Sequence, residues 1–147
     1  MILTGTYERN LDAKGRLSLP AALKDKLGKN VCVLRAPDVD ALYVFSAEEY
    51  EKWVMALFEK REGAQKGFNP RNPADQELMR KVNARTTSMD VDSASRIALS
   101  ESLRAKAHLD REVTVVGNFD HMEIWDRATW EAANTASDED LSDLFFS

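Results

Sequence analysis

The sequence predicts an α+β protein made of two copies of one strand–turn–strand–helix unit that share a core. Three observations predict it. The first is an internal repeat. Asp12, Arg16, Leu19, Leu23, Asp40, Val44, Phe45 and Tyr50 recur as Asp92, Arg96, Leu99, Leu103, Asp120, Ile124, Trp125 and Trp130, each 80 residues on. Self-similarity over such a stretch marks a duplicated structural unit. The segment at Val31 recurs at Val113 with a local slip of two. The second observation is that short strand-like runs alternate with capped helical runs in both copies. The third is size. Two units cut from 147 residues each bury too little apolar surface alone, so they are expected to pack together.

Each element has a local reason. Gly5 to Leu11 alternates, with Tyr7, Arg9 and Leu11 on one side and Thr6, Glu8 and Asn10 on the other, which predicts a strand. Asp12 to Gly15 is turn chemistry, and Leu17 to Leu19 is a short strand. Pro20 suits a helix start, Ala21 to Leu27 continues it, and Gly28 stops it. Val31–Leu34 and Leu42–Phe45 are apolar strands around the loop at Ala36-Pro37-Asp38. Ser46 and Glu49 form a capping box for a long helix. Its stripe of Tyr50, Trp53, Val54, Leu57 and Phe58 has helical spacing and is expected to be core.

Lys60 to Arg71 reads as a charged loop. Asn72-Pro73 starts a helix to about Ala84 whose apolar content (Leu78, Met79, Val82) is thin, so it is expected to lie across the surface or bridge subunits. The second copy follows. Thr86–Val91 is a strand, Asp92–Ser95 a turn and Arg96–Leu99 a strand, and Ser100 caps a helix to about Ala107. Val113–Val116 and Met122–Trp125 are strands joined by a turn at Gly117-Asn118. Asp126 caps a final helix through Trp130. The implied partition is residues 5–51 and 86–131 for the two units, 52–85 for a helical linker and 132–147 for an acidic tail.

The net charge is −5, but it is unevenly spread. Residues 1–35 hold seven Lys or Arg and three Asp or Glu, a balance of +4, whereas residues 131–147 hold five acids and no Lys or Arg. A local positive field matters more to a polyanion than the total does. The acidic tail, with its hydrophobic end, is expected to be a solubilising segment that frays. The single cysteine, Cys32, rules out an intramolecular disulfide and fits a reducing cytoplasm. No apolar run reaches the roughly 18 residues of a membrane span, so no membrane partner is expected.

Catalysis finds no support. The GxSxG, P-loop and GxGxxG patterns are absent. His108 and His121 are far apart and lack Cys or His at metal-ligand spacing, so each is expected to be a surface or packing residue. Cys32 is expected to be a buried, inert thiol. No cofactor or metal is expected.

The turn at Asp12 is the exception. Lys14 and Arg16 flank Gly15, and Arg9, Lys24, Lys26 and Lys29 could extend a positive face. A guanidinium presents a planar fork of donors that suits phosphate oxygens and guanine edges. Gly15 carries no side-chain bulk and would let backbone approach a phosphate. On spacing alone, an Asp12–Arg16 pair that merely pins a hairpin explains the turn as well.

The run Gly5-x-Tyr7 followed by Leu11-Asp12-Ala13-Lys14-Gly15-Arg16-Leu17-Ser18-Leu19-Pro20-Ala21 resembles the signature of the MraZ family. These are bacterial transcriptional regulators encoded ahead of the division and cell-wall gene cluster. Asp92/Arg96, and Val115-Val116-Gly117-Asn118-Phe119 leading into Glu123-Ile124-Trp125-Asp126, match that family too. The resemblance spans about residues 1–130. It implies two tandem SpoVT-AbrB-like units interleaved as a swapped-hairpin β-barrel with peripheral helices. It also implies a ring-shaped homo-oligomer, often an octamer, that binds double-stranded DNA at short direct repeats near its own promoter, in the cytoplasm and nucleoid. By the same resemblance the DNA contacts fall to Arg16 and Lys14, with Gly15 and Arg9 beside them, while Asp12, Asp92 and Arg96 hold the turns. Three positions depart from the family pattern. Ser95 stands where a glycine is usual, Lys24 where an arginine is usual, and Lys81–Arg85 where an aromatic-rich segment is usual. Two other classes remain open on the sequence: an AbrB-like global regulator or antitoxin, and a non-DNA β-barrel interaction module using the acidic tail.

Overall fold

The computed structural model describes residues 2–59, 67–135 and 138–146. The first copy runs β1 (Thr6–Asn10), β2 (Arg16–Ser18), α1 (Ala21–Leu27), β3 (Asn30–Arg35), β4 (Ala41–Ser46) and α2 (Ala47–Glu59). Helix α3 (Pro73–Ala84) precedes the second copy, which repeats the order: β5 (Thr87–Asp90), β6 (Arg96–Ala98), α4 (Glu101–Lys106), β7 (Glu112–Asn118), β8 (His121–Asp126) and α5 (Arg127–Ala133). A last helix, α6, spans Asp138–Phe146. The chain is therefore α+β, with an antiparallel sheet and six helices among the described residues.

The copies exchange strands. The six-stranded sheet runs β1-β7-β8-β4-β3-β5, an order that reads the same from either end when the copies are swapped. β1 lies against β7, from Thr6↔Val116 to Asn10↔Glu112, and β5 lies against β3. Each copy's first strand thus completes the other copy's hairpin. The three-residue strands β2 and β6 pair only with each other, in register Leu17↔Ile97, as a separate two-stranded ribbon. The closed barrel implied by the resemblance is not formed by these pairings. β1 and β5 remain sheet edges, because the short β2 and β6 satisfy one another instead of bridging those edges.

The main core lies between the ribbon, the short helices and one face of the sheet. It is filled by repeat-related pairs from both copies: Leu17/Ile97, Leu19/Leu99, Leu23/Leu103, Val31/Val113, Leu42/Met122 and Val44/Ile124. Fully burying one such side chain contributes about 1.5–3 kcal/mol, and here neither copy can bury its set without the other. Alternate residues of the same strands face the other way. There Leu34, Ala36, Tyr43 and Phe45 pack with Val39, Tyr50 and Trp53.

Several expectations need correction. Of the α2 stripe only Val54 and Phe58 are buried. Tyr50 and Trp53 cover the smaller cluster, and Leu57 is exposed. Gly117-Asn118 is strand, and the turn falls at Phe119-Asp120. The glycine serves a close approach, since a Cβ at residue 117 would lie 2.5 Å from the Thr4 backbone nitrogen. The N-terminal chain crosses there, with Gly117 N donating to Gly5 O at 2.8 Å. Asp126 does cap α5, but α5 is not the last helix. The tail expected to fray forms α6, although residues 136, 137 and 147 lie outside the described residues. So do residues 60–66 of the loop expected at Lys60–Arg71. Helix α3 lies across the surface as expected. Asn72 caps it by accepting from Ala74 N at 2.9 Å, and Asp75 is its one buried residue.

Candidate nucleic-acid interface

The Asp12 carboxylate organises the first turn. Its Oδ1 accepts from the backbone N–H groups of Lys14 (2.9 Å) and Arg16 (2.8 Å), and its Oδ2 accepts from Arg16 Nε at 2.6 Å. Gly15 N donates to Asp12 O at 3.0 Å, and Asp12 N donates to Arg16 O at 3.1 Å. The Arg16 backbone N–H leads in holding the Asp12 carboxyl below its ordinary range. The Arg16 side chain and Lys14 N–H add to this, against partial desolvation. Arg16 is thereby held by one edge. Its terminal amino groups make no hydrogen bond among the described residues and remain able to donate. Lys14 is exposed.

The second turn repeats this bond for bond. Asp92 Oδ1 accepts from Ala94 N and Arg96 N, each at 2.9 Å, and its Oδ2 accepts from Arg96 Nε at 3.0 Å. Ser95 takes the place of the glycine at φ +60°, against +75° for Gly15. The substitution therefore changes the residue and keeps the left-handed backbone. The two Asp-x-x-x-Arg turns thus share one hydrogen-bond geometry.

The tertiary structure then joins the turns. Leu99 N donates to Gly15 O at 3.0 Å, and Leu19 N donates to Ser95 O at 2.9 Å. In the β2–β6 ribbon Leu17 and Ile97 point into the core. Arg16 lies opposite Ala98, and Ser18 opposite Arg96. Arg16 and Arg96 therefore share the outer face of one ribbon. Each turn is also flanked by a cation from the other copy. Arg104 stands over Gly15 and donates from Nε to Leu99 O at 3.2 Å, and its repeat counterpart Lys24 reaches Ser95 Oγ at 3.3 Å. Beside each turn is a shallow hollow of about 450–460 Å³, one edged by Arg104 and Arg111, the other by Lys24 and Lys29.

The predicted residues are placed unequally. Arg16 and Arg96 share the ribbon face, and Arg104 stands over Gly15, the residue between Lys14 and Arg16. Gly15 is buried, and the backbone that approaches it is Leu99 rather than an open surface: a Cβ there would lie 2.7 Å from Leu99 O and 2.9 Å from Arg104 Nε. Arg9 makes no bond to the turn. Its guanidinium sits 5.8 Å from the Tyr7 ring centre and donates to Glu8 O. Lys26 ties down the N-terminal chain at Ile2 O, 2.8 Å away. Arg104 had no signal beyond its offset from Lys24.

Away from the turns, His121 is the packing residue of the two alternatives expected. It is buried between Asp120 (2.7 Å) and Glu123 (2.8 Å) and against the Tyr43 ring. Glu123 also accepts from Trp125 Nε1 at 2.9 Å and Asn118 Nδ2 at 3.0 Å. Burial pulls the His121 pKa down, but the two carboxylates outweigh it and the net shift is upward. Burial pushes Glu123 up, and its three donors outweigh that in turn. Cys32 is buried as expected, with its thiol pKa raised by desolvation. Among the described residues no group of three or more His, Cys, Asp or Glu is placed to hold a metal ion. None of their helices is long and apolar enough to cross a membrane.

A duplicated chain that exchanges strands between its copies, and sets arginines on the outer face of the ribbon joining them, belongs to the class of duplicated, strand-exchanged α+β folds. The model of the family described as "MraZ protein, putative antitoxin-like" matches residues 2–68 and 83–144. Proteins named "Transcriptional regulator MraZ" are similar along nearly the whole chain. That of Mycobacterium sp. (strain KMS) is 36% identical over 138 residues, covering 94% of this chain and 90% of the relative. That of Nocardia farcinica is 35% identical over 138 residues, with the same coverage. That of Mycobacterium ulcerans is 35% identical over 149 residues, covering 96% and 98%. The chain belongs to the MraZ family, which is a family of transcriptional regulators and not of enzymes.

Proposed function

We propose that this regulator binds double-stranded DNA at short direct repeats near its own promoter, ahead of the division and cell-wall genes. It does so as a ring-shaped homo-oligomer of about eight copies, through the first-copy turn. Residues 5–51 and 86–131 act as two SpoVT-AbrB-like units interleaved by their swapped first strands. Residues 52–85 link them, and 132–147 form a separate tail. The observation that carries the reading is Arg16. Asp12 holds its Nε edge at 2.6 Å, so the terminal edge of the fork is aimed outward and preorganised for a guanine edge or a phosphate. Lys14 adds a point charge, Arg104 a second guanidinium, and Arg9 a more distant cation at the end of β1. Gly15 keeps the turn narrow enough for the ribbon to close.

One turn of this size binds weakly. Several turns on successive repeats raise effective concentration and give an avidity gain of ~10²–10⁴. Phosphate neutralisation supplies affinity that falls steeply with salt. A good bidentate base contact by Arg16 supplies about 1–3 kcal/mol of discrimination. The regulator acts in the cytoplasm, at the nucleoid.

Arg16→Ala tests the proposal. Gel shift on a promoter fragment is expected to lose the complex, while light scattering behind size exclusion shows an unchanged mass. Retained binding would remove the turn from the interface. Loss of mass would make Arg16 an assembly residue.

A further inference from the structure

A second surface is left unused by this reading. Leu34 and Pro37 at the end of β3, Trp53 of α2 and Val82 of α3 line an apolar groove of about 470 Å³. Its rim is basic: Lys81 and Arg85 stand on one side and Lys106 on the other. Lys81 and Val82 lie in the stretch 69–82 that separates the two family-matched segments.

The tail has the opposite character. Residues 138–146 read Asp-Glu-Asp-Leu-Ser-Asp-Leu-Phe-Phe, four acids and no Lys or Arg, and form α6. Leu141, Leu144 and Phe145 stand at i, i+3 and i+4, which puts them on one helical face. Phe145 and Phe146 are 79% and 87% exposed in the protomer. Aromatic side chains so open to water mark a contact surface. The groove itself stands open in the protomer.

We propose that the groove receives α6 of a second copy of this chain. An amphipathic helix laid into an apolar groove is a recurrent recognition mode. Leu141, Leu144 and Phe145 would enter between Trp53 and Val82, and the acids would meet Lys81, Arg85 and Lys106. Charge complementarity selects this occupant: the rim is cationic, and the chain's densest run of acids carries the exposed aromatics. The inference rests on self-association, and its test separates the two.

The test uses two full-length chains with different tags, both Cys32→Ala, one with Val82→Cys and the other with Ser142→Cys. They are mixed, allowed to exchange subunits and oxidised gently, and their masses are read by light scattering. A disulfide joining the two tags is expected. Arg85→Glu in the first chain should cut its yield by about tenfold or more, because like charges then face each other. A chain carrying both cysteines that closes only on itself would overturn the proposal in favour of its own tail. No mixed-tag product, or a yield indifferent to Arg85→Glu, would overturn it outright. If the oligomer mass is intact in those last cases, ring assembly stands and only the tail docking falls.

Discussion

Gly15→Ala isolates what holds the two copies together. The residue is at φ +75°, where a Cβ costs about 1–2 kcal/mol against glycine. That Cβ would also lie 2.7 Å from Leu99 O, a backbone atom that cannot swing away as a side chain can. Relieving the contact means moving β6 relative to β2, and overpacking of this kind costs about 1–3 kcal/mol. The Leu99 N–Gly15 O bond of 3.0 Å stretches in the same movement. The sum is about 3 kcal/mol, or about 10 °C in Tm for a chain of this length. Urea and thermal unfolding followed by circular dichroism measure it, at one fixed protomer concentration because assembly adds to apparent stability. Ser95→Gly is the mirror experiment. It relieves a left-handed serine at φ +60° and is expected to stabilise by up to about 1 kcal/mol. A Gly15→Ala protein within about 0.5 kcal/mol of the parent, a typical surface effect, would refute the argument that this glycine is imposed by the other copy.

Two further outcomes concern the turns and one the buried His121. Lys14→Ala is expected to weaken binding to every DNA sequence alike and to lower the slope of log K against log salt by about 0.9; an unchanged slope would place Lys14 off the phosphates. Arg104→Ala should weaken DNA binding by about tenfold through loss of one phosphate contact, with circular dichroism unchanged; full affinity would leave it a strut over Gly15. His121→Ala should cost about 3 kcal/mol, because it leaves Glu123 buried without its partner. The raised His121 pKa contributes stability that is full below about pH 6.5 and fades as pH rises through the folded value. The parent should therefore lose stability relative to the variant as pH rises above about 6.5, and parallel curves would contradict the charged pair.

What is local can be read from the residues themselves. A carboxylate four residues before an arginine, across a glycine or a tolerated serine, closes the same turn twice, because every bond in it spans four residues or fewer. The helix caps at Asn72, Ser100 and Asp126 are readable for the same reason, and the offset of 80 declares the duplication. The charge asymmetry pointed to the first turn, and the motif to the family. The three-dimensional fold settled which copy each strand completes, since a strand of five residues carries no record of its partner. It decided that the backbone beside Gly15 belongs to the other copy, and that Arg16 and Arg96 share one ribbon face. Arg104, far along the chain, was brought over the first turn by the same exchange. The burial of His121 came from Tyr43 and Phe45, whose strand pairs with β8 only after the sheet assembles. The tail shows the same division. Its composition was legible as acidic and aromatic, but the exposure of its aromatics, and the basic-rimmed groove formed where α2, α3 and α4 meet the end of β3, arise only once the chain is folded.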